Sequence, residues 1–342
     1  LDSRNEYYYV NKNSRENYIF NSSLNGIESS DLIILIGTNP RYEATILNLR
    51  IRKSYLKNKT KIYSFGDIGD QTYPYKIIEN SSDKIKEIIE NKGNEISDKI
   101  LNSSKPIIII GQSTLKKKSA KYIFENLKNY LIKNNKINDQ WNALNIISNN
   151  ASTVGSYDLE LLSGNGAENP TLEKITKNQF EVIFLFGQDN LNFKKENEFI
   201  IYIGSHGDEG AKLADIILPG ASFTEQDAHY TNLEGKIQKS YQSSYPPGQA
   251  KEDWEIINDL SELLKRKKLF KSKNELIDSM LNYLKLNKKD NSIIENDTNF
   301  VSEKITIDPI DYYFSNVIAR ASKTMFECRR EKIKIEKTGT EG

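Results

Sequence analysis

Four apolar runs along the chain end in a glycine that is followed by small or polar residues. The runs are DLIILIG, KPIIIIG, EVIFLFG and FIIYIG, and they close at Gly37, Gly111, Gly187 and Gly204. A short continuous apolar run bounded by glycine is typical of a strand buried in a parallel sheet. We therefore predict four buried parallel strands, each of which opens at its carboxyl end into a loop.

Amphipathic helical patterns lie between these strands. Two apolar stripes have helical spacing: Ile85, Ile88 and Ile89 after a candidate N-cap at Ser82, and Ile123, Leu127, Tyr130 and Leu131. The alternation of strand and helix predicts an α/β fold with doubly wound, mostly parallel sheets, flanking helices and right-handed crossovers. Ligands of such folds bind at the carboxyl ends of the strands, so the glycine-ended loops are the first candidate sites.

The pattern changes after Pro219. Residues 228–241 carry a Leu-Glu-Gly turn between polar stretches and predict a ribbon or an extended loop. A later stretch, at about residues 265–304, is rich in Lys, Asn and Ser with one weak helical stripe, which predicts a peripheral connection. Asp308 and Pro309 have the composition of a helix start and predict a tail helix that docks on the body or on another subunit.

These shifts in composition predict four regions. They are an N-terminal lead-in at 1–30, an α/β body at 31–265, a polar peripheral connection at 266–306, and a C-terminal docking helix and tail at 307–342.

Composition limits the chemistry that the chain can carry. Its 342 residues hold 48 Lys and Arg against 47 Asp and Glu, a net charge of +1, so nothing draws the whole chain toward nucleic acid or acidic lipid. Its apolar runs fall far short of the roughly 20 residues of a membrane span. A single cysteine, Cys328, excludes an internal disulfide and any cysteine-ligated iron–sulfur cluster or structural zinc site built from this chain alone.

The loop at residues 37–41, GTNPR, is one candidate ligand site. Gly37 allows close approach of the backbone to a ligand, Thr38 and Asn39 can form hydrogen bonds, and Arg41 can neutralise a phosphate. This chemistry suits nucleotide and pterin-pyrophosphate loops. A tight turn from strand to helix explains the same residues without a ligand, and both interpretations stay open at this point.

The loop at residues 204–210, GSHGDEG, is a second candidate. Its glycine spacing permits a backbone nest for an anion, but Asp208 and Glu209 would repel that anion. His206 could ligate a metal or exchange protons, although the only other histidine, His229, does not complete a metal-binding spacing. We favour a hydrogen-bonded loop histidine.

Nucleophilic catalysis and nucleic-acid binding find little support. Cys328 lies beside Arg329 and Arg330 but has no histidine near it in the sequence, so we interpret it as a packing residue or a chance occurrence without a chemical role. The basic runs at 116–118 and 265–268 lack interleaved aromatic residues, so nucleic acid is not an expected partner.

Three long segments, taken in order, resemble one family. They are residues 31–54, residues 202–257 and the tail VIARASKTMFECRR at 317–330. They resemble the C-terminal half of the large iron–sulfur subunit of respiratory complex I, the NADH:ubiquinone oxidoreductase, and of its counterpart in the bacterial enzyme. The similarity runs along nearly the whole chain and is weakest at about residues 265–305.

The resemblance implies the fold of molybdopterin-dependent oxidoreductases, kept without the cofactor. In the molybdenum enzymes three loops like those of this chain approach the pterin, and in the complex I relatives these loops are generally vestigial. The corresponding residues here are Gly37, Thr38, Asn39, Arg41, His206, Gly207, Asp208, Glu234, Gly235 and Lys236. Lys236 stands where arginine is common in both groups, and this exchange of a planar fork for a point charge weakens the case for cofactor binding.

The resemblance also implies a structural role. The cysteines that hold the family's iron–sulfur clusters belong to its N-terminal half, so we expect no catalytic residue, metal or cofactor in this chain. Iron–sulfur clusters are expected in that N-terminal portion and FMN in a neighbouring subunit. The implied partners are this cluster-bearing portion, the flavin-bearing subunit and the quinone-module subunits of the peripheral arm, on the matrix side of the mitochondrial inner membrane, without direct membrane insertion.

An alternative is half of a genuine molybdopterin-dependent oxidoreductase that grips the pterin. An open, electropositive crevice at the three loops would favour that enzyme. A crevice filled by side chains would favour the complex I interpretation.

Overall fold

Two parallel sheets, formed by different parts of the chain, organise the fold. The computed structural model describes residues 8–90, 93–161, 170–188, 193–207, 209–284 and 296–338. The chain divides into two units: Leu1–Pro170 with Tyr230–Gln238 and Met280–Asp308, and Thr171–His229 with Lys239–Ser279 and Pro309–Gly342. This division does not follow the region boundaries proposed from composition, which stay predictions.

The first unit is built on a five-stranded sheet. Its strands are β1 (Leu32–Ile36), β2 (Lys61–Phe65), β3 (Lys76–Ile78), β4 (Pro106–Gly111) and β5 (Leu144–Ile147). Their order is β3-β2-β1-β4-β5, and each neighbouring pair is parallel. The chain extends the sheet first on one side of β1 and then on the other, which confirms the predicted doubly wound fold. The order reverses between β1 and β4, where such folds bind their ligands.

Helices cover both faces of this sheet. They are α1 (Pro40–Glu43), α2 (Thr45–Asn58), α3 (Ser82–Ile89), α4 (Glu95–Asn102), α5 (Gln112–Leu115), α6 (Ala120–Lys133) and α7 (Thr153–Asp158), with 3-10 turns at Arg15–Asn17 and Gly26–Ser29. Successive β1 residues enter different core clusters: Ile34 packs with apolar residues of α3, α4 and α6, and Ile33 with those of α2. The predicted stripes of α3 and α6 lie in the core, although the α3 N-cap is Ser81, one residue before the predicted Ser82.

The second unit contains a three-stranded sheet. Its elements are α8 (Pro170–Thr176), β6 (Val182–Phe186), β7 (Phe199–Gly204), α9 (Glu209–Leu213), β8 (Ile216–Pro219) and α10 (Asp253–Leu263). The strand order is β6-β7-β8, all parallel. The prediction of a fully buried strand is wrong for β6, because Val182, Phe184 and Phe186 are 50%, 40% and 37% exposed. Ile183 and Leu185, on the opposite face, lie in the core.

The predicted ribbon is a two-stranded sheet of β9 (Ala228–Thr231) and β10 (Ile237–Ser240). The remaining helices are α11 (Lys273–Leu284), α12 (Val317–Ala321) and α13 (Lys323–Thr338). Helix α11 confirms the weak helical stripe of the polar region.

The predicted start of the tail helix at Asp308 is wrong. The backbone N–H of Asp308 donates to Ser113 Oγ at 2.9 Å, and its carboxylate accepts from Lys116 Nζ at 2.8 Å. These contacts hold Asp308 on the first unit, so its carboxylate does not cap a helix. The helix begins after Asn316 instead, because the Asn316 side chain accepts from the N–H of Ala319 at 2.9 Å.

Within the described ranges, no helix has both the length and the apolar composition that crossing a bilayer requires.

Ile109→Ala should destabilise the first unit by about 3 kcal/mol, because Ile109 in β4 is 0% exposed and its truncation leaves a cavity. The control Leu56→Ala removes the same number of carbons from a side chain that is 54% exposed, and should cost about 0.5 kcal/mol or less. Urea unfolding followed by Trp141 fluorescence in a Trp254→Phe background measures both. Equal losses in the two variants would contradict the assignment of β4 to the core.

Candidate functional site

The carboxyl ends of β1 and β4 lie too close together for side chains at their exits. Gly37 has a φ of +56°, and a Cβ on it would overlap with the hydroxyl of Thr114. A Cβ on Gly111 would overlap with the carbonyl oxygen of Gly37. The Thr114 hydroxyl also donates to the Ile36 carbonyl at 3.2 Å. Packing of the strand ends therefore accounts for both glycines, and protein atoms fill the point where the strand order reverses.

Glu43 occupies the hydrogen-bond donors of the loop at residues 37–41. Thr38 Oγ1 donates to one Glu43 carboxylate oxygen at 2.7 Å, and the backbone N–H of Asn39 donates to the other at 2.9 Å. An incoming anion would need these same donors. It would therefore have to displace a carboxylate that belongs to the chain itself.

Asn39 and Arg41 are engaged as well. The Asn39 side chain donates to the Ile68 carbonyl at 3.0 Å and accepts from Gln71 Nε2 at 2.9 Å. Arg41 Nη1 donates to the Asp70 carboxylate at 2.8 Å. The polar side chains of Thr38, Asn39 and Arg41 thus each have a partner within the first unit.

Burial sets the protonation behaviour of Glu43. Loss of water contact raises the pKa of Glu43, and the nearby charge of Asp308 acts in the same direction. The hydrogen bonds from Asn39 and Thr38 and the charge of Lys116 oppose this rise. Since the net direction is upward, ionised Glu43 costs the folded state free energy.

A cavity of about 420 Å³ lies beside Glu43 in the first unit. Residues 43–47, 148–154 and 230–233 line it, together with Leu24 and Gln238. Among these described lining residues Glu43 alone carries a formal charge. A cofactor with a pyrophosphate would meet no Lys or Arg here and one carboxylate, so the lining does not fit an anionic pterin cofactor.

The ribbon loop at Glu234, Gly235 and Lys236 is fixed by the N-terminal segment. The Leu24 N–H donates to a Glu234 carboxylate oxygen at 2.9 Å, and Lys236 Nζ contacts the other at 3.0 Å. Burial alone would raise the pKa of Glu234, but these two bonds, the charge of Lys236 and a hydrogen bond with Asn232 together lower it, and the net direction is downward. Arg15 Nη2 donates to the Gly235 carbonyl at 2.6 Å.

Arg15 connects this loop to a buried carboxylate. Its guanidinium binds Asp158 through two hydrogen bonds of 2.8 and 2.7 Å, and Asp158 is 1% exposed. The Tyr18 hydroxyl donates to the same carboxylate at 3.0 Å. Burial, followed by the charge of Asp158, raises the pKa of Tyr18. Sequence reasoning missed this group, since 143 residues separate Arg15 from Asp158 and neither lies in a recognisable motif.

The second candidate loop belongs to the second unit and is packed around Tyr202. The Tyr202 hydroxyl donates to the His206 carbonyl at 2.8 Å, and a Cβ on Gly204 would overlap with the Tyr202 ring. Gly210 is close to the same ring. Two of the three glycines thus make room for a tyrosine of the chain itself.

His206 has a local partner, because its Nδ1 lies 2.9 Å from Ser205 Oγ. This is the hydrogen-bonded loop histidine that we favoured from sequence. Gly207 has open space where a side chain would stand, and Asp208 lies outside the described residues.

The part of the chain that the structure describes contains no group of three or more His, Cys, Asp and Glu residues placed to hold a metal ion. Cys328 is exposed on α13.

Together the five-stranded parallel sheet and its flanking helices define a doubly wound α/β protein. A comparison with family models matches residues 2–263 to the molybdopterin oxidoreductase family. Because this match covers more than half of the chain, the chain belongs to that family.

Several relatives are similar along nearly the whole chain. The NADH-ubiquinone oxidoreductase 75 kDa subunit of Reclinomonas americana is 38% identical over 96% of this chain and 48% of its own length. An NADH-quinone oxidoreductase subunit of Rickettsia bellii is 35% identical over 97% and 48%, and the mitochondrial 78 kDa subunit of Candida albicans is 33% identical over 94% and 47%. The chain therefore spans about half the length of the curated relatives that it matches.

The substitution Glu43→Gln should alter how the stability of the first unit depends on pH. The folded-state pKa of Glu43 is raised, so its favourable contribution is complete below the unfolded pKa and is lost as pH rises through the folded value. The variant cannot ionise, so its stability relative to the parent should increase between about pH 4 and pH 8. Urea unfolding across this range measures the difference.

Glu28→Gln is a matched control of opposite sign. Hydrogen bonds from Lys53 and Arg50 lower the pKa of Glu28, so the parent gains stability above the unfolded pKa. This variant should lose relative stability as pH rises. The same direction of change in both variants would argue against the half-buried placement of Glu43.

Asp158→Ala should cost about 3 kcal/mol, because it leaves the Arg15 guanidinium and the Tyr18 hydroxyl without their acceptor. Hydrogen exchange at residues 231–236 should also accelerate, since Arg15 holds the Gly235 carbonyl. Asp70→Ala, which removes an exposed partner of Arg41, should cost much less stability and leave that exchange unchanged. Unchanged exchange in Asp158→Ala would show that Arg15 does not fix the ribbon.

Proposed function

We propose that this chain is a non-catalytic structural portion of the large iron–sulfur subunit of respiratory complex I, a proton-translocating NADH:ubiquinone oxidoreductase. The observation that carries the proposal is that the chain's own groups occupy the ligand-type loops: Glu43 binds the donors of the first loop and Tyr202 packs within the second. The similarity to complex I subunits along 94–97% of the chain supports the choice of assembly.

The proposed role needs packing surface and no reactive side chain. A protein shell around iron–sulfur clusters limits water access and tunes their reduction potentials. We propose that the clusters lie in the N-terminal portion of the same subunit and FMN in a neighbouring one. This chain would support the cluster-bearing portion and contact the flavin-bearing and quinone-module subunits of the peripheral arm.

We further propose a location on the matrix side of the mitochondrial inner membrane. The Candida albicans relative is named as mitochondrial, which supports this compartment. The peripheral arm of a bacterial enzyme, on the cytoplasmic side, is the less favoured location. The similarity to the Rickettsia bellii subunit is the observation that supports it.

A genuine pterin enzyme is a second candidate, and the cavity beside Glu43 is the observation that favours it. A volume of about 420 Å³ is within the range of ligand sites. The charge of the lining opposes this candidate, because it offers an anionic cofactor a carboxylate and no cation.

The test is to tag the chain with an epitope and isolate it in mild detergent from mitochondrial membranes of the source organism. The preparation should oxidise NADH and contain FMN. It should also contain iron, carried either by a separate cysteine-rich polypeptide or by a longer form of the tagged chain. The reason is that the chain is proposed to act only inside complex I. Mass spectrometry identifies the polypeptides, and metal analysis measures iron and molybdenum. A matched preparation of the chain alone should contain neither metal.

Stoichiometric molybdenum or pterin in the chain alone would overturn the proposal in favour of the pterin enzyme. Recovery of the tagged chain without other complex I subunits would overturn membership of the assembly.

A further inference from the structure

The three-stranded sheet of the second unit has two unequal faces. One face carries Ile183, Leu185, Ile200 and Tyr202, which are buried in a core cluster. The other face, here called the open face, is defined by five apolar residues that are 37–50% exposed: Val182, Phe184, Phe186, Phe199 and Ile216. The parallel register pairs Val182 with Phe199 and Phe184 with Ile201, so the exposed side chains lie on the same face of neighbouring strands. Ile203, which pairs with Phe186 on this face, is 2% exposed, so the exposed surface is broken at that position.

The order of the strands explains why much of one face is exposed. The chain visits β6, β7 and β8 in spatial order, and right-handed crossovers in a constant direction place both connections on the same face. Phe193 of the first connection and Ala211 of the second both pack into the buried cluster. Among the described residues, neither connection can therefore cover the open face.

The sequence of β6 is typical of a strand that is covered on both faces. The strand is VIFLF, apolar at all five positions, which is typical of a strand buried on both sides. A strand with one wet face alternates apolar and polar residues instead. Strand β10, IQKS, is an example in this chain of a strand with polar residues at exposed positions. The rings of Phe184 and Phe186 stack with centroids 6.3 Å apart, which concentrates aromatic surface along the β6 edge of the open face.

We propose that the open face is the docking surface for the N-terminal portion of the large subunit, which covers it with an apolar helical layer. The identity of this partner rests on the proposed function. This chain spans 47–48% of the length of the curated relatives, so each relative has a further portion of about the same length. In those relatives both portions share one polypeptide, so a permanent apolar contact between them costs little association entropy.

A second copy of this chain fits the open face less well. Parallel sheets are covered by helices rather than by another parallel sheet, because their crossovers supply helices. Two open faces in contact would stack sheet on sheet. The five defining residues include no charge, so the contact is apolar and independent of salt.

The test is site-specific photo-crosslinking in the intact complex, with p-benzoylphenylalanine at Phe184 and, as a control, at Tyr245. Tyr245 is 85% exposed and lies outside the open face. Position 184 should crosslink to peptides of the cluster-bearing portion, and position 245 should not. Crosslinks from 184 to a second copy of the chain or to a different subunit, or no crosslink at all, would overturn the inference.

Cysteine labelling gives a second measurement. In a Cys328→Ser background, a maleimide should label Phe184→Cys in the intact complex at least about tenfold more slowly than Tyr245→Cys. Equal rates would overturn the inference. Co-purification with complex I is scored separately in the same samples. Loss of co-purification refutes the proposed function, whereas co-purification with an accessible position 184 refutes the docking surface alone.

Discussion

The close approach of Gly37 and Gly111 is the constraint on which the candidate site depends. Strands β1 and β4 pair in parallel at the centre of the first sheet, and both are buried on both faces. Their exits converge where the strand order reverses, the position at which doubly wound folds bind ligands. Here the Thr114 hydroxyl and the Gly37 carbonyl take the space that side chains would need. Glycine at this place therefore indicates backbone packing as readily as it indicates a bound phosphate.

Glu43 shows how a ligand-type loop can keep its donors and still offer little to a ligand. A carboxylate on the same chain is always present at the loop, so a free anion competes against a very high effective concentration. The raised pKa of Glu43 shows that this arrangement is not free of cost, because a charge has been taken out of water. The bonds from Thr38 and Asn39 offset part of that cost. Removal of Glu43 would expose two donors and a cavity lined by neutral groups.

Local pattern predicted much of the fold but little of the site. The apolar run of β1 and the stripe of α6 were sufficient, because burial on a periodic element is written into neighbouring residues. The bond between Arg15 and Asp158 could not be predicted, since its partners are 143 residues apart, one before the first strand of the sheet and the other after the fifth. Glu43 had only a weak signal, because it stands four residues after the helix-capping Asn39, one position beyond the acid of a capping box. The predicted helix start at Asp308 was wrong for the same reason that the Arg15 bond was missed. The partners of Asp308, Lys116 and Ser113, come from a distant segment of the sequence.

The two sheets show that handedness, more than composition, decides which surfaces a unit can cover by itself. In the first sheet the chain reverses direction at β1 and β4, so right-handed crossovers supply helices to both faces. In the second sheet the direction never reverses, and a strand as apolar as β6 has one face without a layer. Hydrophobic pattern alone predicted the same burial for β1 and β6, because both strands are apolar at every position. The pattern indicates that both faces of a strand should be covered, but it does not indicate which part of the protein covers them. A strand that is apolar on both faces but covered on one is therefore evidence about chain beyond its own unit.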